Sequence, residues 1–411
     1  TNTSAMTALQ TLKNINSNLE TTQREISTGK SVGSAKDNAA LWSISKVMEA
    51  DVSGFKAIQD SLNLGEATLN VARNAAESTG DLLNQIKEKV VTAQESNVDR
   101  TKIQADIEQL RDQISSVVGA AQFNGLNLLQ NTGTEAGSGT NTILSSLDRA
   151  ADQTVESGSI AVAKQDLQQT EADFGSTAVG SANDLLAVSA ATIAAAGTSE
   201  TVTFTSGGAE AGASYRVSLT GAGSNELGTT QLDFDYVARD GDTELDVSKA
   251  IFDQISARLT EVNATNTEVS RDATTGTITI TNNDADTADT IALARTENLD
   301  GTPGGGLERL AAIDVTSDQG AASALEDIEG LIQTTIDASA ELGSAAARVE
   351  VQSEFVGNLT DSFKAGIGSL VDANMEEASA RLQALQTQQQ LGIQALSIAN
   401  SAPQNILSLF R

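Results

Sequence analysis

The 411-residue chain contains no cysteine and no histidine. Disulfides are therefore impossible, and the side chains most used as metal ligands and neutral-pH general bases are missing. Only two prolines, Pro303 and Pro403, and 3% aromatic residues are present, which suits long helices better than a compact enzyme core. No apolar run approaches the roughly 20 residues of a membrane span. No basic start followed by an apolar stretch marks a Sec-type signal, so a chain of this kind, if exported, leaves by another route. Positive charge is also scarce: 25 Lys and Arg stand against 55 Asp and Glu, a net charge of −30. That balance argues against nucleic acid and anionic membranes, and the expectation is no nucleic-acid and no membrane partner. No phosphate loop, dinucleotide fingerprint or nucleophile–base pair occurs, so the expectation is no enzyme and no cofactor.

The charge is unevenly spread. Residues 1–40 carry four basic and three acidic groups, and residues 371–411 two and three, whereas residues 176–315 carry seven and twenty-one, a net of −14. Nearly neutral ends suit burial in an assembly, and an acidic middle suits a solvated surface.

Heptads dominate both ends. Ala5, Ala8, Leu12, Ile15, Leu19, Thr22 and Ile26 follow one another in steps of three and four, the spacing of a seam that wants a partner helix. Met375, Ala378, Leu382, Leu385, Gln389, Gly392, Leu396 and Ala399 repeat that spacing near the other end. The spacing predicts that these two helices meet. With so few large apolar residues, the first helix is expected to order only against partners, since isolated helices are marginal in water.

Between the ends the layout is palindromic. Ser27–Ser34 breaks the first helix, and Ser34 with Asp37 has the spacing of a capping box for the next. A rod then holds one phase from Ile44 through Met48, Phe55, Ile58, Leu62, Leu69, Ala72, Ala76, Leu83 and Ile86 to Val90, interrupted by Asp51, Gly65 and Thr79. A turn at 95–99, a helix through Ile103, Ile107, Leu110, Ile114 and Val117, and an Asn124-Gly125 turn follow. Short extended pieces such as Ser159–Ala163 are expected before Phe174.

Beyond Gly175 the chain alternates as strands do, at 201–205, 215–219, 232–236 and 277–281. One amphipathic helix is expected at Val247–Val262, capped by Thr243 and Asp246 and apolar at Ala250, Ile251, Ile255, Leu259 and Val262. The Gly301–Gly306 run then reads as the exit linker. A second rod holds phase from Leu325, Ile328 and Ile332 to Phe363, Ile367 and Leu370. The fold expected is mainly α, long coiled-coil-like helical rods from both chain ends with a β-rich, α+β outer insert. Its divisions are 1–33, 34–175, 176–315, 316–370 and 371–411.

Four segments resemble bacterial flagellin: Ala5-Met6-Thr7-Ala8-Leu9, Ser34-Ala35-Lys36-Asp37-Asn38-Ala39-Ala40, Gln122-Phe123-Asn124-Gly125, and the terminus Ile398–Arg411. The resemblance covers roughly 1–170 and 320–411, and family members usually begin a few residues earlier. It implies a structural subunit that polymerises into the flagellar filament for swimming motility, with the terminal helices as its inner coiled-coil tube. The alternative within the same system is a hook–filament junction protein. The implied assembly interface comprises Ala5, Ala8, Leu12, Ile15, Leu19 and Ile26, then Met375, Ala378, Leu382, Leu385, Leu396 and Ala399, and Leu407 and Leu409 in the terminus. The implied partners are further copies of the chain, an export chaperone and type III export apparatus, and filament cap and hook-associated proteins. The location implied is extracellular.

Many flagellins also carry Gln-Arg-x-Arg-Glu-Leu-Ala-Val, a patch read by an innate-immune Toll-like receptor. The resemblance places Asn84, Gln85, Lys87, Glu88, Lys89, Val90 and Val91 there. Gln85 replaces an arginine fork and Lys89 a leucine, so weak or absent receptor binding is expected. Trp42 reads as a packing residue. Asp284, Asp286 and Asp289 lack the glycine and closing glutamate of an EF-hand loop. Asn263-Ala264-Thr265 and Asn358-Leu359-Thr360 are formal sequons, a pattern common by chance.

Overall fold

The computed structural model describes residues 3–150, 154–178, 185–187, 191–195, 197–204 and 209–409, with backbone alone for 401–409. The chain divides into two compact units. One is built from residues 1–60, 145–158 and 352–411, the other from 61–144 and 159–351.

The heptad segments are helical. Helix α1 spans Thr3–Thr28, and α2 runs unbroken for 55 residues across Ala39–Ala93. Phe55, Ile58, Leu62, Leu69, Ala76, Leu83, Ile86 and Val90 of its seam are buried, while Ile44 at its start is 50% exposed. The cap of α2 is not Ser34. Asn38 Oδ1 accepts from Leu41 N at 3.2 Å, and Asp37 Oδ2 instead closes the preceding turn by accepting from Ser34 N and Oγ, both at 2.9 Å. Asn38 stands next to the first helical residue and so reaches the free N–H groups that Ser34 cannot.

Helix α3, Arg100–Ala120, begins on Asp99, whose carboxylate accepts from Lys102 N at 3.3 Å. Asn124 (φ 50°) and Gly125 (φ 83°) then make the tight turn between β1, Gln122–Phe123, and β2, Leu126–Asn127. A longer antiparallel hairpin follows, β3 at Thr140–Arg149 and β4 at Val155–Ala163. It explains two of the three glycines of α2. A Cβ on Gly54 would stand 2.6 Å from Leu147 Cδ1, and one on Gly65 2.5 Å from Ile143 Cδ1. Each glycine forfeits about 1 kcal/mol of helix propensity to admit a strand side chain.

The insert has nine strands among the described residues: β5 Thr177–Ala178, β6 Leu186–Ala187, β7 Ala191–Ile193, β8 Thr198–Phe204, β9 Ser214–Gly221, β10 Leu232–Val237, β11 Thr267–Arg271, β12 Ile278–Asn282 and β13 Ile291–Leu299. They form two antiparallel sheets, β10-β9-β13-β5 with β7 also on β13, and β11-β12-β8-β6. Helix α4, Glu244–Glu261, starts as its sequence requires: Asp246 Oδ2 accepts from Thr243 N at 2.8 Å and Thr243 Oγ1 at 2.7 Å. Its Val247, Ile251 and Ile255 join Val217, Leu219, Ile278, Ile280 and Ile291 in one fully buried cluster.

The glycine run is not an open linker. Gly301, Pro303, Gly304 and Gly305 are buried. The segment pairs with the outgoing chain through Thr302 N to Asp173 O (2.9 Å), Asp173 N to Thr302 O (3.0 Å), Gly305 N to Thr170 O (2.7 Å) and Leu307 N to Gln168 O (2.9 Å). A Cβ on Gly305 would overlap the Gln168 carbonyl. Here glycine serves close approach of two backbones rather than looseness. After a 3-10 turn at Glu308–Ala312, α5 runs 54 residues over Asp318–Val371, and α6 covers Met375–Leu409.

Candidate assembly interface

Helices α1 and α6 belong to the same unit and pack antiparallel along the seams the heptads predict. Gln389 Nε2 donates to Asn16 Oδ1 at 2.7 Å. Gly392 faces Leu12, since a Cβ there would lie 3.2 Å from Leu12 Cδ1 and 3.7 Å from Ile15 Cδ1. A small residue opposite a large one is a hole for a knob, and this one half-buried amide pair sets register. On α6, Ala378 and Leu385 are buried and Leu382, Leu396 and Ala399 half-buried. On α1, Ala5, Ala8, Leu12, Ile15, Leu19 and Ile26 are all half-buried, and Thr22 alone is buried. Met375, the first residue of α6, is the most exposed of these seam residues at 44%. The side chains of Leu407 and Leu409 lie outside the described residues.

The pair also carries apolar residues off its seam. Met6 is 63% exposed on α1, and Leu391, Ile393 and Ile398 are 58%, 54% and 69% exposed on α6. Heptad reading passes over these positions, because their only signal is an apolar residue standing beside a seam that is already complete. Large exposed apolar groups in series mark an interaction surface.

Where α1 and α6 begin to separate, backbone replaces side chains. Lys30 and Asp372 form an antiparallel bridge. Ser31 N donates to Val371 O at 2.7 Å, and Ala373 N to Gly29 O at 2.9 Å. Gly29 has φ 69°, a left-handed conformation that ends α1. Glu49 receives both Lys46 Nζ (2.6 Å) and Lys30 Nζ (3.4 Å), and the bond from Lys46 holds its carboxyl below the usual range. The Ser34 hydroxyl does the same for Asp37. This charged elbow was not foreseen, since Lys30 and Glu49 are nineteen positions apart in sequence.

In the other unit, Gln85 and Glu88 are exposed on α2, Val90 is buried, and Val91 is 49% exposed. Lys87 pairs with Glu329 of α5, and Lys89 Nζ lies 2.5 Å from Asp106 Oδ2 of α3. The loop carboxylates are spent internally: Asp289 accepts from Ser224 N (2.6 Å) and Oγ (2.8 Å), and Asp286 from Ala288 N (3.0 Å). Asn263 is exposed with φ 49°, whereas Thr360 of the second sequon is buried and donates to Val356 O at 2.8 Å.

Two family models match the chain, the bacterial flagellin N-terminal helical region over residues 1–134 and the bacterial flagellin C-terminal helical region over 325–410. Flagellin A of Rhizobium meliloti is 39% identical over 418 residues, covering 100% of this chain and 99% of that protein. The chain belongs to the bacterial flagellin family. Flagellin B of the same organism is 38% identical with the same coverage, and the flagellin of Bartonella bacilliformis is 32% identical over 96% of each chain. These matches span the insert as well as the helical ends. As a flagellin, the chain is a structural subunit of the extracellular flagellar filament, and its ability to polymerise with further copies comes with the family. Among the described residues of this flagellin, no helix is long and apolar enough to cross a membrane.

Proposed function

We propose that α1 and α6 line the inside of the filament as its coiled-coil tube. Their half-buried seams and the exposed Met6, Leu391, Ile393 and Ile398 form the surface that meets neighbouring copies. The observation that carries this is the incomplete burial of α1, whose apolar residues all keep solvent contact in the single chain. A helix pair in this condition gains its remaining burial, at about 25 cal/mol per Å² of apolar surface, only from other chains. The same weakness suits passage through a type III export pore as an unfolded thread, guarded by a chaperone until the tip is reached. There it meets the filament cap, and hook-associated proteins join the polymer at its base. The subunit performs no chemistry.

Deletion of residues 1–30, or separately of 375–411, abolishes seeded or salting-out polymerisation viewed by electron microscopy. Filaments formed by either deletion would refute the assignment. Gln85, Lys87, Glu88 and Lys89 make at most a weak contact with the innate-immune receptor, because Gln85 offers no guanidinium fork and both lysines are engaged by carboxylates. Reporter cells therefore respond to this protein only at concentrations well above those of a flagellin carrying the Gln-Arg-x-Arg-Glu-Leu-Ala-Val patch. Equal potency would dismiss this reading.

A further inference from the structure

The two strands that carry the chain into and out of the insert are fastened by one arginine and a ring of carboxylates. Arg239, just after β10, places Nη2 2.5 Å from Gly304 O on the returning strand and 3.3 Å from Asp166 Oδ2 on the outgoing one. The Asp166 side chain is only 2% exposed. Its other oxygen accepts from Gln168 N at 2.9 Å. Glu308 reaches across from the return, Oε1 accepting from Ala172 N at 2.8 Å, with Glu171 and Asp235 facing it. Asp242, before α4, accepts from Tyr236 Oη (2.6 Å) and Arg239 N (2.8 Å), with Asp246 beside it. A cleft of about 680 Å³ continues from this cluster, lined further on by Asp253, Glu326 and Asp337. Its cations are already engaged, Lys249 with Asp253 and Arg309 with Asp327. Three buried or half-buried carboxylates thus compete for one guanidinium.

We infer that this neck is a joint tightened by protons: mild acid fastens the insert to its two strands, and neutral pH loosens it. Burial pushes the Asp166 carboxyl up to about 6, against the opposing pull of Arg239 and the Gln168 N–H. Burial also raises Asp242 and Glu308, and raises Asp327 beside Arg309, Glu326 and Glu261. A carboxyl raised in the closed neck but ordinary in an opened one binds its proton more tightly when closed. Closure therefore gains as pH falls from above 7 towards 5, the reverse of ordinary acid loosening. The carboxylates held low in the same unit, Asp99, Glu226, Asp233, Asp272 and Asp314, titrate below that window and do not mask it.

The amides of Thr302, Gly305 and Leu307 report on the joint, because each is bonded to the opposite strand. Hydrogen exchange of the full chain, expressed as protection factors so that the intrinsic pH dependence of exchange drops out, is expected to slow at these amides. The rise is about tenfold between pH 7.5 and pH 5 from Asp166 alone, while α3 stays unchanged as the control. Asp166→Asn raises neck protection at pH 7.5 and leaves only the smaller pH response supplied by Asp242 and Glu308. Glu308→Gln, which keeps the acceptor for Ala172 N, does the same to a lesser degree and stands in if the first variant fails to fold. Flat or falling protection on acidification in the wild type overturns the inference. So does an undiminished tenfold response in Asp166→Asn or, where that variant is unfolded, in Glu308→Gln.

Discussion

The insert and the terminal helix pair are built from the same kinds of apolar residue and bury them very differently. In the insert, Val217, Ile251, Ile278 and Ile291 lose all solvent contact among two sheets and α4. In the pair, Leu12, Ile15, Leu19 and Ile26 keep part of theirs, and Leu391, Ile393 and Ile398 keep most. One region completes its core within a single chain. The other is left with apolar surface that a single chain does not cover. On the function proposed above, folding and assembly fall to different stretches of one sequence, and they should respond separately to mutation.

Two substitutions test that separation. Ile251→Ala removes a fully buried side chain from the insert and is expected to cost about 2–5 kcal/mol. Calorimetry should show the insert's transition falling by several degrees, with filament yield preserved. Loss of filaments together with insert stability would show that the two regions are coupled after all. The smaller effect is expected from Leu385→Ala, at a position 8% exposed on α6. The insert's melting should not move, while the lost burial, about 1.5–3 kcal/mol, raises the concentration needed for polymerisation roughly ten- to a hundredfold. An unchanged critical concentration would make the α1–α6 seam a bystander.

The helical parts of the fold were legible because heptads are local and repetitive. The α2 seam runs from Phe55 to Val90 as the spacing requires, and Gly65, which reads as an interruption, is the seat of Ile143. Strands β8, β9, β10 and β12 were legible from the alternation of apolar and polar residues. Strands β3 and β13 were not. The packing of β3 is encoded partly by absence, in glycines 78 and 93 residues upstream of the side chains they admit, Ile143 and Leu147. The alternation of β13 is broken by Arg295 and Glu297, and Glu297 accepts backbone N–H bonds from Leu185 (3.0 Å) and Leu186 (2.6 Å). A charge there reads as solvated surface, whereas it binds an edge strand. The seam residues that pair α1 with α6, and that the proposed assembly surface includes, were visible for the same reason as the helices. Met6, Leu391 and Ile393 were not, because a face without an intrachain partner imposes no spacing on its own helix. Met375 shows the converse: it fits the heptad but is 44% exposed in the single chain.

The bridge between Asp173 and Thr302 brings the outgoing and returning chain into register at neighbouring points. To the helices on either side, everything between those two residues is a loop whose ends meet. Doubling the length of such a loop costs only about 0.6 kcal/mol in closure entropy. A different outer sequence that also brings its ends together at that spacing could therefore take the place of this one without disturbing the coiled ends. The neck acts as a socket, and what a cell shows to its surroundings can change while the shaft that carries it stays the same.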